Sequence, residues 1–476
     1  MVNTLCGSGT LRYYKNMMMN KKHLTIFLNL VLTAIAILTL MGPAITNGFP
    51  LVYSDSGTYI AAAKTNSIPV DRPIVYSLFL NISSLNLSLW ITIFIQSFIL
   101  VYLFYLLFTQ VFEVKHSYVW ICGLSLLLSL TTSVANYSSQ LMPDIFAAWM
   151  PLAIFILLFG KNLKIVVKII LWTVFILSVT SHFSILVTAT LLIIFILTFN
   201  FLKKILPPGK NYLLILLVLA GWITIPIINV TYGGKFSVSR CKNVSLMARL
   251  VETGVVAEYL NEHCPDKSYS LCAYKDSLPK YGYLFAWEPT SPLYKGPCWD
   301  TGWGNCWIEK DAEYGILIHD IVSTPKYLKK LIRISLTDTY RQLMDFKIGV
   351  LVPMTEKSAP YGTIKSFYPN HLKGYTNASQ FKQILYFSTT SKIQNIIVIL
   401  SLFLIPVILI MLYRQRRSRN IFLFSAIVCM AIILNAAVCS SLSTVVDRYQ
   451  SRIIWLLPFL LITSVAVLFQ AKTKKT

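Results

Sequence analysis

The chain has 476 residues, 55% of them hydrophobic and only 13% charged, with a mean hydropathy of +0.63. Soluble domains carry roughly 45–50% apolar and about 25% charged residues, so this composition excludes a soluble globular fold and points to a multi-pass membrane protein. The formal net charge of +23 does not indicate nucleic-acid binding, because many of the basic residues sit in short clusters between apolar runs, where they carry topology information.

Taken in chain order, segment 1–23 is a basic N-terminus with Arg12, Lys15, Lys21 and Lys22. The apolar runs then predict about ten spans of roughly 17–25 residues each: 24–43, 88–110, 117–133, 143–160, 165–180, 183–202, 211–231, 393–413, 420–440 and 451–470. The first run lacks a small-residue cleavage site and is expected to stay as an anchor. Alternate loops are basic: Lys115, then Lys161 and Lys164, then Lys203, Lys204 and Lys210, then Arg414, Arg416, Arg417 and Arg419. The tail, 471–476, adds Lys472, Lys474 and Lys475. The positive-inside rule therefore places both termini in the cytoplasm. The expected fold is an all-α polytopic membrane protein: an N-terminal module over 24–231 with a first outer loop at 44–87, an extracytoplasmic domain over 232–392, and a C-terminal module over 393–470.

In the first outer loop, "SGTYIAAAK" predicts a short helix and "SIPVDRP" a turn broken by Pro69 and Pro73. "IVYSLFLNISSL" is too short to span and is expected to lie along the membrane surface. The 232–392 segment is polar and aromatic, large enough for a small domain, and mainly helical by apolar spacing. "NVSLMARLVETGVVAEYLNEH" and "AEYGILIHDIVSTPKYLKKLIRISLTDTYRQLMDF" carry that spacing, whereas "WEPTSPLYKGPCWDTGWGNCW" predicts an ordered loop.

This segment holds Cys241, Cys264, Cys272, Cys298 and Cys306. An outer location favours disulfides, with Cys264–Cys272 and Cys298–Cys306 as local candidates and Cys241 left over, although sequence alone does not fix connectivity. Metal binding by these cysteines lacks a CxxC pair. Cys6, Cys122, Cys429 and Cys439 are expected to be ordinary thiols in or near spans. Sequons at Asn81, Asn86, Asn136, Asn229, Asn243 and Asn377 bear on glycosylation only in a host that modifies them.

The acids are sorted by side. Of nineteen, Glu113 alone falls on the cytoplasmic face and fourteen lie in 232–392. The other four, Asp55, Asp71, Asp144 and Asp447, stand at an outer membrane face, where carboxylates are costly and functional. Each has a structural alternative. Asp55 can be the N-cap of its helix, or a general base or metal ligand. Asp71 with Arg72 can be a local ion pair of little energetic weight, while Arg72 can instead touch a lipid phosphate. Asp144 follows Pro143 at a helix start, where it either complements the dipole or faces Asp55 across a cavity. His182 lies in a tight outer turn, "SHFS", as a structural residue or a phosphate donor. Arg448 and Arg452 are one helical turn apart, either as snorkelling anchors or as two forks on one phosphate. P-loop, HExxH, GxSxG and dinucleotide fingerprints are absent.

The run "DSGTY…DRPIVYSLFL", with Asp55, Tyr59, Arg72, Pro73 and the segment from Tyr76, resembles the GT-C superfamily of integral-membrane glycosyltransferases. These include protein O-mannosyltransferases, the aminoarabinose transferases acting on lipid A, and Rgt-type transferases. Asp144 matches the acid that often ends the family's second outer loop. The chain has Asp55-Ser56 where many relatives pair two acids, and Pro73-Ile74 where they double the proline. The resemblance implies transfer of a sugar from a polyprenyl-phosphate donor to an envelope glycan, lipid or protein acceptor on the outer face. It implies Asp55 and Asp144 as catalytic carboxylates, with a divalent cation (Mg or Mn) as an optional cofactor between them. Tyr59, Arg72, His182, Arg448 and Arg452 become substrate-binding residues. An O-antigen ligase or polymerase, a lipid or glycan flippase, and an envelope assembly factor are the alternatives. A flippase needs polar residues through the bilayer, and mid-span charge is almost nil here.

Overall fold

Each of the ten apolar runs forms a helix, as backbone in hydrocarbon must to satisfy its own polar groups. The computed structural model describes residues 7–264, 266–348, 354–415 and 419–473, with the side chains of 7–22, 301 and 471–473 excepted. Cys6, Arg416, Arg417, Lys474 and Lys475, and the side chains of Arg12, Lys15, Lys21, Lys22 and Lys472, lie outside the described residues. The fold is all-helical. Among the described residues there is no strand, only a parallel bridge between Leu51 and Gln140.

Among the described residues, seven helices are long and apolar enough to cross a membrane: His23–Leu40, Leu89–Val111, Phe183–Lys203, Pro208–Thr231, Ser388–Arg414, Arg419–Leu442 and Asp447–Gln470. Three apolar helices are shorter: Ser117–Thr131, Pro143–Phe159 and Ile165–Ser181. Burial sorts them. Asp447–Gln470 is 67% buried and His23–Leu40 only 17%, so the last helix is central and the first peripheral. Phe146–Phe159 is buried on every side, and the start of the last helix packs against it. The charged opening of the last helix, "DRYQSR", is thereby carried into the middle of the bundle.

The segment 232–392 does not form one domain. A second hydrophobic core, built on Val244, Met247, Leu260, Phe285, Trp307 and Tyr327, ends near Ile334. The first predicted helical run breaks at Gly254, whose φ of +74° suits glycine, giving Lys242–Glu252 and Val255–His263. The second breaks at Pro325, giving Trp303–Ser323 and Pro325–Met344. Cys264 pairs with Cys272, and Cys298 with Cys306; Cys241 is a buried free thiol. The helices Ala359–Phe367 and Pro369–Asn377 belong elsewhere: Ile364, Tyr368 and Tyr375 join the main core of the apolar helices. Ala359–Phe367 packs on the loop helix Ser54–Thr65. Contact there is so close that a Cβ on Gly57 would lie 2.7 Å from the Ala359 carbonyl carbon.

The surface helix expected at 74–85 is corrected. Val75–Ser83 buries Val75, Tyr76, Ser77, Phe79, Leu80 and Ser83. Tyr76 donates to Gln96 Oε1 at 2.8 Å and stacks edge-on against Tyr59 and Phe146. The segment is a wedge inside the protein, because its aromatic residues have partners on three elements.

Candidate functional site

Six charged side chains from three distant parts of the sequence form one alternating chain: Asp71, Arg72, Asp55, Arg448, Asp144, Arg452. Arg72 bonds Asp71 through Nε (2.9 Å) and Nη2. It also forks onto Asp55, Nη1 to Oδ2 and Nη2 to Oδ1, both at 3.2 Å. Arg448 Nη1 then lies 3.5 Å from Asp55 Oδ2, and its Nε lies 3.7 Å from Asp144 Oδ1. Arg452 Nη1 reaches the same Asp144 oxygen at 3.5 Å. Three acids and three bases balance, which is how charges in a low-dielectric interior are tolerated.

Asp55 is not an N-cap. The helix starts at Ser54 and is closed by Tyr53 and Ser56, whose hydroxyl accepts from Tyr53 N (2.9 Å) and donates to Leu141 O (3.0 Å). That releases the Asp55 carboxylate for its arginines. Burial alone would raise its pKa, but the neighbouring Arg72 and Arg448 outweigh burial and hold it below the ordinary carboxylate value. Asp71 and Arg72 do make the local pair, but as the first link of a longer chain.

Asp144 sits in a short turn of 3-10 helix, Pro143–Ile145, with its side chain 2% exposed. It does not face Asp55 across a cavity. The two acids share Arg448, which stands between them. This arrangement does not suit a divalent cation, which needs several oxygens converging on one point. Among the described residues no group of three or more His, Cys, Asp or Glu could hold a metal.

Arg452 is also corrected as a phosphate ligand. It is fully buried, and Nη2 is spent on Ser184 Oγ (2.9 Å) and Asn435 Oδ1 (2.9 Å). It holds Asp144 from within. His182 takes a structural place, its Nδ1 accepting from Ser184 N at 3.2 Å to start the helix Phe183–Lys203. Tyr59 lies beneath Arg72, 5.2 Å from its guanidinium, and is buried. Asp447, the fourth acid expected at an outer face, opens the last helix, its Oδ1 accepting from Arg448 N at 2.8 Å.

Arg448 is different. Its guanidinium stacks on Tyr53 (4.4 Å) and lies near Tyr449 (5.3 Å). Its contacts to both acids exceed hydrogen-bond length, and buried Nη1 makes no hydrogen bond. With Asp55 and Asp71 it lines a cavity of about 480 Å³ roofed by the 245–307 region, including Glu252, Tyr283, Trp287 and Trp307.

Two glutamines fix the backbone on either side of this cavity. Gln380 Oε1 accepts from Val52 N (3.1 Å) while its Nε2 donates to Val52 O (2.6 Å), just before Tyr53 and Asp55. Gln342 does the same for Val446, at 3.0 and 2.8 Å, just before Asp447 and Arg448. Leu51 in turn exchanges backbone bonds with Ser139 and Leu141, both at 2.9 Å, which ties the Asp55 segment to the Asp144 segment.

Sequence reasoning missed these glutamines and the aromatic roof. Tyr449 had a signal, adjacency to Arg448. Trp287 lies in the predicted ordered loop, where its role has no local signature. No family model, no curated protein and no solved structure matches the chain.

Proposed function

We propose that the protein is a membrane glycosyltransferase of the cytoplasmic membrane, with ten spans, both termini inside and the 232–392 segment outside. It moves a sugar from a polyprenyl-phosphate donor to an envelope acceptor. One observation carries this reading: Arg448, loosely held by two acids with an unused N–H, lines a large cavity beside the ionised Asp55.

The chemistry follows from that pairing. The acceptor hydroxyl oxygen forms a bond to the anomeric carbon while the carbon–oxygen bond to the donor phosphate breaks, its electron pair leaving with the polyprenyl phosphate. The growing negative charge falls to Arg448. The hydroxyl proton goes to Asp55. A phosphate that draws Arg448 away also removes one of the two arginines depressing the Asp55 pKa, so donor binding makes Asp55 a better base. Asp144 and Arg452 position Arg448, and Arg72 positions Asp55.

The test is mass spectrometry of envelope glycans and lipid-linked saccharides from a deletion strain of the host. Wild type should restore a missing sugar, and Asp55→Asn at equal expression should not. Full restoration by Asp55→Asn would remove Asp55 from the chemistry.

A further inference from the structure

A second cavity adjoins the first at Asp71. It measures about 330 Å³ and is bounded by Thr58, Ile68, Val70 and Asp71 on one side and by Trp303 and Gly304 on the other. Asp71 borders both spaces. Trp303 lines the second cavity and Trp287 the first, their ring centroids 5.5 Å apart, and both rest on the buried Trp307, at 6.2 and 5.1 Å. Trp307 is itself fixed by a 3.1 Å bond from Nε1 to Tyr294 Oη. Trp287 and Trp303 remain 47% and 44% exposed. Two large half-exposed indoles held rigid by a third are costly unless something covers them.

Asp71 adds the polar half of a site. Its side chain is 7% exposed, Oδ2 is taken by Arg72, and buried Oδ1 has no hydrogen-bond partner. Leaving such an oxygen unsatisfied is unfavourable. Its charge is already balanced by Arg72, so the missing partner is a neutral donor and not a cation. A neutral hydroxyl beside apolar C–H faces describes a pyranose ring. We propose that the Trp287–Trp303 pair and Asp71 form a saccharide-binding subsite, running from the second cavity towards Asp55, and that the acceptor is therefore a glycan and not a protein side chain or lipid headgroup. The word acceptor rests on the transferase reading; saccharide binding does not.

The experiment uses the full chain in lipid nanodiscs and saturation-transfer NMR with maltotetraose, chitotetraose and α-mannotetraose as probes. Transfer to ring C–H protons of at least one probe is expected. It should persist in Asp55→Asn and fall at least tenfold in both Trp303→Ala and Asp71→Asn. No transfer to any probe, or transfer unchanged in Trp303→Ala, would overturn the subsite while leaving the Asp55→Asn glycan test of the transferase reading intact. Conversely, binding that survives in Asp55→Asn while the deletion strain lacks no sugar that wild type restores would keep the subsite and discard the transferase. A second measurement guards against misfolding. The emission difference between wild type and Trp303→Phe should be changed by the bound saccharide; quenching by brominated lipid instead would place that ring against the bilayer and overturn the proposal.

Discussion

Arg448 Nη1 lies 3.5 Å from Asp55 Oδ2, joining the start of the last apolar helix to the start of the first loop helix. The contact is an ion pair without a hydrogen bond. Arg72, by contrast, grips the same carboxylate with two nitrogens at 3.2 Å. One arginine is committed and the other is available, and the following expectations turn on that difference.

Arg448→Lys should keep the charge and the fold but lose the planar fork, which suits phosphate. Turnover is expected to drop about 10²–10³-fold, the usual cost of one stabilising donor. The measure is the rate of sugar transfer alongside the thermal midpoint. A lysine variant with wild-type turnover would show that charge alone suffices.

Asp144→Asn should act on stability first. It leaves Arg448 and Arg452 facing each other without their shared acid, and breaking a buried pair from one side costs about 3–5 kcal/mol. Thermal unfolding in detergent should show a clearly lower midpoint, whereas Asp55→Asn, at the cavity edge and with Arg72 still paired to Asp71, should lose less stability. Equal midpoints for the two variants would contradict the division of roles.

Gln380→Ala and Gln342→Ala each strip a backbone N–H and a C=O of their partners, at Val52 and Val446. About 1–3 kcal/mol of stability should be lost for each group left unsatisfied. Turnover should fall more than donor affinity, because the acid and the arginine drift apart. Gln380→Glu keeps the acceptor for Val52 N but loses the donor to Val52 O, so it should rescue part of the loss. Steady-state kinetics of the three variants settle the matter.

Gly57→Leu should prevent the loop helix from seating on Ala359, since even a Cβ would come within 2.7 Å of backbone there. Low yield and early aggregation on size-exclusion chromatography are expected. A well-behaved leucine variant would mean that Ala359–Phe367 can move away freely.

Acid should weaken the 241–334 core through Asp320. Hydrogen bonds from Lys267 and Tyr269 push its pKa down from 3.8 to about 2. A depressed carboxylate contributes stability above its unfolded pKa and loses it as pH falls through the native one, so the loss runs from about 3.8 down to about 2. Asp320→Asn should be less stable than wild type at neutral pH and should show a shallower acid limb. Superimposed limbs would assign the acid sensitivity to other carboxylates.

The helices were legible because apolar runs have no other way to satisfy their backbone. The shared charge pattern of Asp55, Asp71, Asp144 and Asp447 was legible as well, and the structure joins the first three in one ion-pair chain. Their pairing was not, since no local rule links residue 55 to residue 448. The cap alternative for Asp55 rested on Asp being a strong cap, yet Ser56 does that work here. The third letter of "DSG", Gly57, carries a packing demand from Ala359 that only tertiary structure reveals. Gln342 and Gln380 are invisible for the same reason, each serving a backbone segment far away in sequence.

The order of synthesis gives the alternating charges a further consequence. Asp144 emerges early, whereas Arg448 and Arg452, the cations beside it, belong to the last helix. Until that helix arrives, an uncompensated carboxylate sits among apolar helices, at a cost of several kcal/mol. The final helix is thus a latch: its insertion neutralises the interior and assembles the cavity wall in one event, and a chain stalled before residue 447 carries a marker of its own incompleteness.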